Sequence, residues 1–401
     1  MDINRIRQEF QIFRNEPNLA YLDNAAMALK PDRVIKAVDD YYLNYGVNVH
    51  RGVYRLSYMA TDKYEEARNT IAKFIGAKFE EVVFTRGASS ALNLVALSYG
   101  MENINEGDEV ITTELEHHSS HMPWFNVCKL KKATLKYIPL NEEGRVTVEN
   151  FKKVLSNKTK VVAINYVSNV MGYITPIREI IKLAHEVGAI VTLDGAQAVP
   201  HMKVDVKELD CDFLSFSGHK LCGPTGIGVL YGKYDLLEKM NPIEFGGDMA
   251  DTVKKDSQTY KLPPYKFETG TPNVAGAIGL AEACKYIDEI GFDFIVKREK
   301  ELRDKAIKEL EKIDDVIIYN KNAETGIISF NINGIHPHDA ASVFDNNNVC
   351  IRAGHHCAQL ITSWLNTIGT IRASFYFYNR DEDIDLFIKA VKDAKDFFGK
   401  F

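Results

Sequence analysis

The sequence predicts an α/β protein: a large domain around a mainly parallel sheet, then a smaller α+β domain. Three observations carry this. Between residues 81 and 231, short apolar runs alternate with amphipathic segments, the pattern of strands buried on both faces and joined by helices. The chemically distinctive residues of that stretch recur where the runs end, Asn169 after one, Asp194 after another and Lys220 after a third. Open parallel sheets bind ligands beyond the carboxyl ends of their strands. After about residue 290 the rhythm changes to a long charged helix and shorter strands.

The elements follow in order. Residues 1–20 are polar and predict a partly helical arm that packs with the small domain. Tyr21–Ala26 is a short strand entering a turn, and Pro31 opens a helix, a favoured first-turn position. A helix runs from about residue 58 to Ile75, and Glu81–Thr85 is a strand. Arg86-Gly87-Ala88-Ser89-Ser90 is a small-residue turn, with Ser89 or Ser90 the expected N-cap of the helix that follows. Glu109–Thr112, Lys160–Val167, Ala189–Leu193, Asp212–Phe216 and Ile227–Tyr231 are further strands, and a helix over 177–187 ends at Gly188. Residues 240–275 read as irregular. Helices are expected over 275–290 and 294–313, strands at 316–319, 326–332, 349–351 and 371–377, and a last helix whose apolar face carries Ile384, Phe387, Ile388 and Val391. The expected divisions are an arm at 1–20, a large domain at 21–289 and a small domain at 290–401.

Composition narrows the function classes. The 401 residues are 45% hydrophobic and 26% charged, with a formal net charge of -6, ordinary for a soluble globular protein. No basic run is present, so nucleic acid is not an expected partner. No apolar run approaches the roughly 20 residues needed to span a bilayer, and the charged start lacks the apolar core of a secretory signal. A cytoplasmic protein is expected. The six cysteines form no Cys-x-x-Cys pair and are too sparse for a disulfide scaffold.

Taken singly, the distinctive residues stay ambiguous. A lysine after a strand is most often at the surface. The turn at Gly87, between a strand and a helix N-terminus, is a ready anion site, though many such turns bind nothing. Gly223–Gly228 is not the dinucleotide fingerprint, no P-loop is present, and His117, His118 and His121 lack the H-E-x-x-H pattern of a helical zinc site, so no metal is expected. A lysine, an aspartate at a neighbouring strand end, an anion turn and a histidine remain. A pyridoxal phosphate site needs this set: an amine for a Schiff base, a carboxylate for the pyridinium nitrogen and a helix N-terminus for the phosphate.

Five motifs, in this order along the chain, give the set a family context: Glu116-His117-His118, Asp194-Gly195-Ala196-Gln197, Ser217-Gly218-His219-Lys220, Phe267-Glu268-x-Gly270-Thr271-Pro272-Asn273 and Arg352-Ala353-Gly354-His355-His356-Cys357-Ala358. The sequence resembles the class V aminotransferase superfamily, and within it the group II (SUF-type) cysteine desulfurases, over nearly its whole length. The resemblance implies a fold-type I pyridoxal-phosphate transferase with a seven-stranded sheet, a homodimer, and conversion of L-cysteine to L-alanine with sulfur passed through a cysteine persulfide to an acceptor protein of iron–sulfur cluster assembly. It implies that Lys220 holds the cofactor and moves protons, Asp194 pairs with the ring nitrogen, Gln197 contacts the ring hydroxyl and His117 stacks on the ring. Asn169 would lie near substrate and cofactor. Ala88, Ser89, Ser217 and His219 would hold the phosphate, with Thr271 reaching in from a second subunit. Arg372 would take the substrate carboxylate, His50, Arg51 and Arg352 would lie at the substrate side, and Cys357 would be the nucleophile.

Two departures stand out. The family's phosphate turn usually reads Gly-Thr-Thr-Glu and here is Gly87-Ala88-Ser89-Ser90, so any contact at Ala88 must come from the backbone. The family's His-His-Ala-Asn is His117-His118-Ser119-Ser120. The alternatives are a selenocysteine lyase, an aminotransferase, for which a nucleophilic thiol at Cys357 has no use, or a non-catalytic cofactor-binding protein, which would tolerate loss of Lys220 or Cys357.

Overall fold

The structure, a computed structural model, describes residues 1–399, so the last two residues of the expected 290–401 domain lie outside it. Strand β1 (Ala20–Tyr21) precedes a seven-stranded sheet made of β2 (Val82–Thr85), β3 (Glu109–Thr112), β4 (Thr134–Tyr137), β5 (Thr159–Asn165), β6 (Ile190–Asp194), β7 (Phe213–Ser217) and β8 (Gly228–Gly232). Their order is β2-β8-β7-β6-β5-β3-β4. Only β8 runs against its neighbours, so the sheet is mainly parallel, as the apolar runs predict. Val162 and Ile164 of β5 join one core, and Val161 and Ala163 join another on the opposite face. Successive strand side chains point to opposite faces, and helices cover both.

Residues 240–275 are less irregular than their composition suggests. They contain an antiparallel hairpin of β9 (Ala250–Val253) and β10 (Gln258–Tyr260). Nearly all of its side chains are exposed, so no apolar alternation marks it in the sequence. Strands β11 (Val316–Ile318) and β12 (Ile327–Ile332) follow, then β13 (Val349–Cys350), which pairs parallel with β1, then β14 (Arg352–Gly354) and β15 (Thr370–Ser374). A four-stranded sheet has the order β11-β12-β15-β14. Ile328 and Phe330 of β12 and Ile371 and Ala373 of β15 share a core with Ile384, Phe387 and Val391 of the helix Asp381–Phe398.

The first residues form two short helices, Ile3–Arg7 and Gln11–Asn15. Phe10 packs among Phe13, Tyr286 and Tyr378, and the buried Arg7 pairs with Asp383 at 3.1 Å. The arm therefore touches both the helix Val274–Ile290 and the start of the last helix. No helix among the described residues is long and apolar enough to cross a membrane.

One buried ion cluster ties the main sheet to the segment that carries Thr271. Arg68, on the helix Arg55–Phe74, donates to both oxygens of Glu268 at 2.6 and 2.9 Å and to the Val82 carbonyl at 2.9 Å. Glu268 also accepts from the Phe84 amide at 2.7 Å and the Tyr64 hydroxyl at 2.9 Å. Arg68 keeps a second carboxylate, Glu65 at 3.1 Å, so losing Glu268 costs less than the ~3–5 kcal/mol of a fully stranded buried charge, about 2 kcal/mol. Glu268→Ala is accordingly expected to shift the urea midpoint down by a corresponding amount. A midpoint within error of the parent would refute the assignment.

Candidate active site

The site is assembled where strands of the main sheet end. β7 ends at Ser217, and one helical turn, Gly218–Lys220, carries the chain on towards β8. The fold-back is tight: a Cβ on Gly223 would lie 2.9 Å from the Gly218 carbonyl oxygen, and one on Gly228 would lie 2.5 Å from Gly87 Cα. Backbone therefore meets backbone there, and only glycine fits. The result brings Lys220, Ser217 and the Gly87 turn to one cavity.

Asp194 ends β6 and is 6% exposed. Its register neighbour on β5 is Asn165 and on β7 is Ser215. Burial raises its pKa, while the charge of Lys220 and the Ala196 amide, donating at 2.9 Å, oppose the rise. Lys220 lines the same cavity, enclosed by protein but still reachable from the cavity space. Burial brings its ammonium down to about 8, against the attraction of Asp194. Gln197 donates to the Ala25 carbonyl at 2.7 Å and leaves its Oε1 buried without a partner.

His117 caps the helix His118–Lys131, and its Nδ1 accepts from the Ser119 amide at 3.1 Å. The ring proton must therefore sit on Nε2. Burial first, and Lys220 next, push its pKa down to about 3, so the ring is neutral at pH 7. His219 is held neutral likewise, down to about 4, by burial and then Lys220.

The phosphate-turn helix spans Ala88–Val95, with Gly87 at the cap. Ser89 and Ser90 thus stand in its first turn, not at the N-cap expected of them, because Gly87 alone can pass so close to Gly228. The Ala88 amide donates to Ser217 Oγ at 2.8 Å, and Ser89 Oγ lies 2.7 Å from Ser119 Oγ.

The opposite wall comes from β14, β15 and the loop between them. Arg372, on β15, is 2% exposed. It donates to the Asn169 carbonyl at 2.9 Å and to Asp23 at 3.2 Å, and its Nε has no partner. Burial lowers its pKa and Asp23 opposes this. Arg352, on β14, is exposed and also lines the cavity. Cys357 is exposed and lines the cavity as well. It and His356 have φ of 55° and 52°, a left-handed pair that non-glycine residues seldom adopt. Three hydrogen bonds hold this loop to the main-sheet side. The His118 amide donates to the Cys357 carbonyl at 2.7 Å, the Gln359 amide donates to His118 Nε2 at 3.1 Å, and Asn169 Nδ2 donates to the His356 carbonyl at 2.8 Å.

Three expected site residues lie elsewhere in the single chain. Thr271 is exposed in an adjoining hollow that shares Ser89, Ser217 and His219 with the first. His50 sits 2.6 Å from Glu65, beside Tyr265 and Glu268. Arg51 extends outward to an ion pair with Asp248. Conversely, the sequence alone assigns no role to His118 or Glu116, and their adjacency to His117 is the one signal that points to them.

Glu116 is fully buried. Its Oε1 accepts from Thr113 Oγ1 at 3.0 Å and from the Asn165 backbone and side-chain amides at 2.9 and 2.8 Å, and its Oε2 has no partner. Burial pushes its pKa up to about 8, so at pH 7 the folded chain keeps a proton that the unfolded chain has lost. Stability is therefore lost as pH rises from about 4.5 towards 8. Glu116→Gln mimics the neutral form and is expected to be more stable than the parent at pH 8, by up to ~4 kcal/mol, with the gap closing near pH 5. Parallel pH profiles would show that the carboxyl is ionised in the fold.

The residues suit pyridoxal phosphate: an enclosed amine near an ordinary working pH, a buried carboxylate one strand away, an unpaired amide oxygen, and a helix N-terminus with hydroxyls.

Comparison with known proteins gives the family. The sequence model of the Aminotransferase class-V family matches residues 20–387, and the chain belongs to that family. A probable cysteine desulfurase of Halalkalibacterium halodurans is 51% identical over 100% of this chain and 99% of its own. One of Staphylococcus aureus is 51% identical over 99% and 98%. The crystal structure of the Escherichia coli cysteine desulfurase CsdA superposes with a TM-score of 0.93 at 35% identity, over 99% of both chains. The apo structure of a Thermococcus onnurineus cysteine desulfurase does so with 0.93 at 42%, over 97% of both. Within its family, the chain stands with the cysteine desulfurases.

Proposed function

We propose that the protein converts L-cysteine to L-alanine with pyridoxal phosphate and loads the released sulfur on Cys357 as a persulfide, for an acceptor protein of iron–sulfur cluster assembly. The observation that carries this is one cavity lined by an amine, Lys220, a carboxylate, Asp194, and an exposed thiol, Cys357. Residues 21–289 supply the cofactor groups, and residues 290–401 supply the cysteine.

Lys220, Asp194, Gln197 and His117 would hold the ring end of the cofactor, and Ala88, Ser89, Ser217 and His219 its phosphate. Bound there, pyridoxal phosphate supplies an aldehyde for amines and a protonated ring that accepts the electron pair of a broken Cα–H bond. Arg372 offers its unpaired Nε–H, with its neighbouring nitrogens, to the substrate carboxylate, and Asn169 steadies Arg372 through its carbonyl. Lys220, near its pKa of about 8, can take a proton from the substrate Cα and return it. His117, neutral with its proton on Nε2, would lie against the cofactor ring. The Cys357 thiolate attacks the substrate sulfur: an S–S bond forms, the substrate Cβ–S bond breaks, and Cβ receives the electron pair and a proton. L-Cysteine and the Cys357 thiol thus become L-alanine and a persulfide, with the sulfur oxidised as the carbon is reduced. Arg352, exposed beside Cys357, gives the mouth a positive rim towards the substrate carboxylate.

Thr271, His50 and Arg51 lie away from the cavity of their own chain, which supports a homodimer in which a second copy completes the site. The cytoplasm fits this chemistry, since a free reactive thiol survives in a reducing compartment. The test is to reconstitute the protein with pyridoxal phosphate, add L-cysteine, and measure alanine together with sulfur bound to protein. One sulfur per alanine is expected. No alanine, or alanine without protein-bound sulfur in the absence of reductant, would overturn the reading.

A further inference from the structure

We propose that Ser119 is a further ligand of the cofactor phosphate, acting with Ser89 as a hydroxyl pair that replaces the hydroxyl missing at Ala88. The inference rests on the pyridoxal phosphate reading and concerns residues in which this chain departs from the usual motifs.

The two departures, one in the phosphate turn and one after the paired histidines, meet in space. Ser89 stands in the first turn of the helix Ala88–Val95, and Ser119 in the first turn of the helix His118–Lys131. Their hydroxyl oxygens are 2.7 Å apart, and both residues line the Lys220 cavity together with Ser217 and His219. Ala88 can offer only its amide, which here donates to Ser217 Oγ at 2.8 Å.

A hydroxyl pair has a fixed arithmetic. Each group carries one O–H. One hydroxyl donates to the other, and the acceptor still holds a proton to give away. Neither side chain makes any other hydrogen bond among the described residues, and Ser90, by contrast, turns its hydroxyl back to the Gly87 carbonyl at 3.0 Å. The spare O–H of the Ser89–Ser119 pair therefore lacks an acceptor within the chain. Two helix N-termini converge on it, each favouring negative charge, so an anionic oxygen is the acceptor that suits the place. Either serine can be the one that donates outward, so the pair can follow a phosphate group as it shifts. Ser119 also links the two ends of the cofactor. Its backbone amide fixes the proton on His117, while its hydroxyl would reach the phosphate.

The test compares pyridoxal phosphate with pyridoxal, which lacks the phosphate, on cofactor-stripped full-length protein, following the visible absorption band. Ser119→Ala is expected to weaken pyridoxal phosphate ~tenfold, the scale of one hydrogen bond to a charged group, and to leave pyridoxal within about twofold. Ser119→Thr keeps the hydroxyl and is expected to bind like the parent. Ala88→Thr introduced into Ser119→Ala is expected to recover most of the loss. Equal weakening of both ligands, or of neither, would overturn the assignment, as would a Ser119→Thr variant as weak as Ser119→Ala. A parent protein that forms no band with pyridoxal phosphate, and no borohydride-fixed lysine adduct, would instead overturn the cofactor reading.

Discussion

Cys357→Ser is expected to abolish sulfur transfer, lowering alanine formation from L-cysteine by ~10³ or more, while the protein keeps its cofactor band. The reason is chemical. A serine hydroxyl is not ionised near neutral pH and forms no stable bond to the substrate sulfur, whereas a thiolate is a strong nucleophile towards sulfur. The cavity walls that hold Lys220 and Asp194 belong to other elements, so cofactor loading should be untouched. Stability should also stay within ~0.5 kcal/mol of the parent, because the side chain is exposed. Alanine quantitation and intact-protein mass after a single addition of L-cysteine check this. A serine variant that still makes alanine at the parent rate would show that Cys357 is not the sulfur acceptor.

Lys220→Ala is expected to be at least as damaging, by ~10⁴ or more, for a different reason. It removes both the amine proposed to bind the cofactor covalently and the base proposed for the substrate Cα. The phosphate grip survives in such a variant, so pyridoxal phosphate should bind without forming a borohydride-fixed adduct. Stability should move the other way. The folded ammonium has its pKa lowered to about 8, so below that pH the fold carries a charge it would rather shed. As pH rises from about 8 towards 10.5, the unfolded chain holds the proton longer than the folded one, and stability increases. Lys220→Met should therefore raise the melting temperature of the cofactor-free protein at pH 7, with an advantage that shrinks above pH 8. This is the trade between function and stability expected of a charged group kept in an enclosed site. A variant less stable than the parent across that range would contradict it.

Much of this was legible in the sequence. Strands β5, β6 and β7 are apolar nearly throughout and bounded by polar or small residues, so periodicity finds them. Asp194 and Lys220 stand at strand ends, where ligands gather. Other features depend on packing that no local pattern encodes. Gly87 takes the helix cap from Ser89 and Ser90 because of Gly228, well over a hundred residues away. The hairpin β9–β10 is exposed on both faces and carries no buried stripe to betray it. His118 reads as half of a histidine pair, and only the folded chain shows it clasping the backbone of the cysteine loop. Thr271, His50 and Arg51 carry family motifs, yet the folded chain does not bring them into the Lys220 cavity. The contact between Ser89 and Ser119 joins two sequence departures that look unrelated in one dimension.

The clasp on the cysteine loop sets a clock. Three hydrogen bonds join residues 356–359 to His118 and Asn169. At about 1 kcal/mol net for each bond, the clasp contributes about 3 kcal/mol, and the buried His356 adds its anchors to Thr370 at 3.0 and 2.9 Å, so the loop opens less than roughly one moment in a hundred. Amide exchange at His118 and Gln359 should therefore be retarded at least about a hundredfold. An acceptor protein meeting the loaded enzyme would find the persulfide already making brief excursions outward. Handover could then proceed without unfolding any of the scaffold that keeps the cofactor in place.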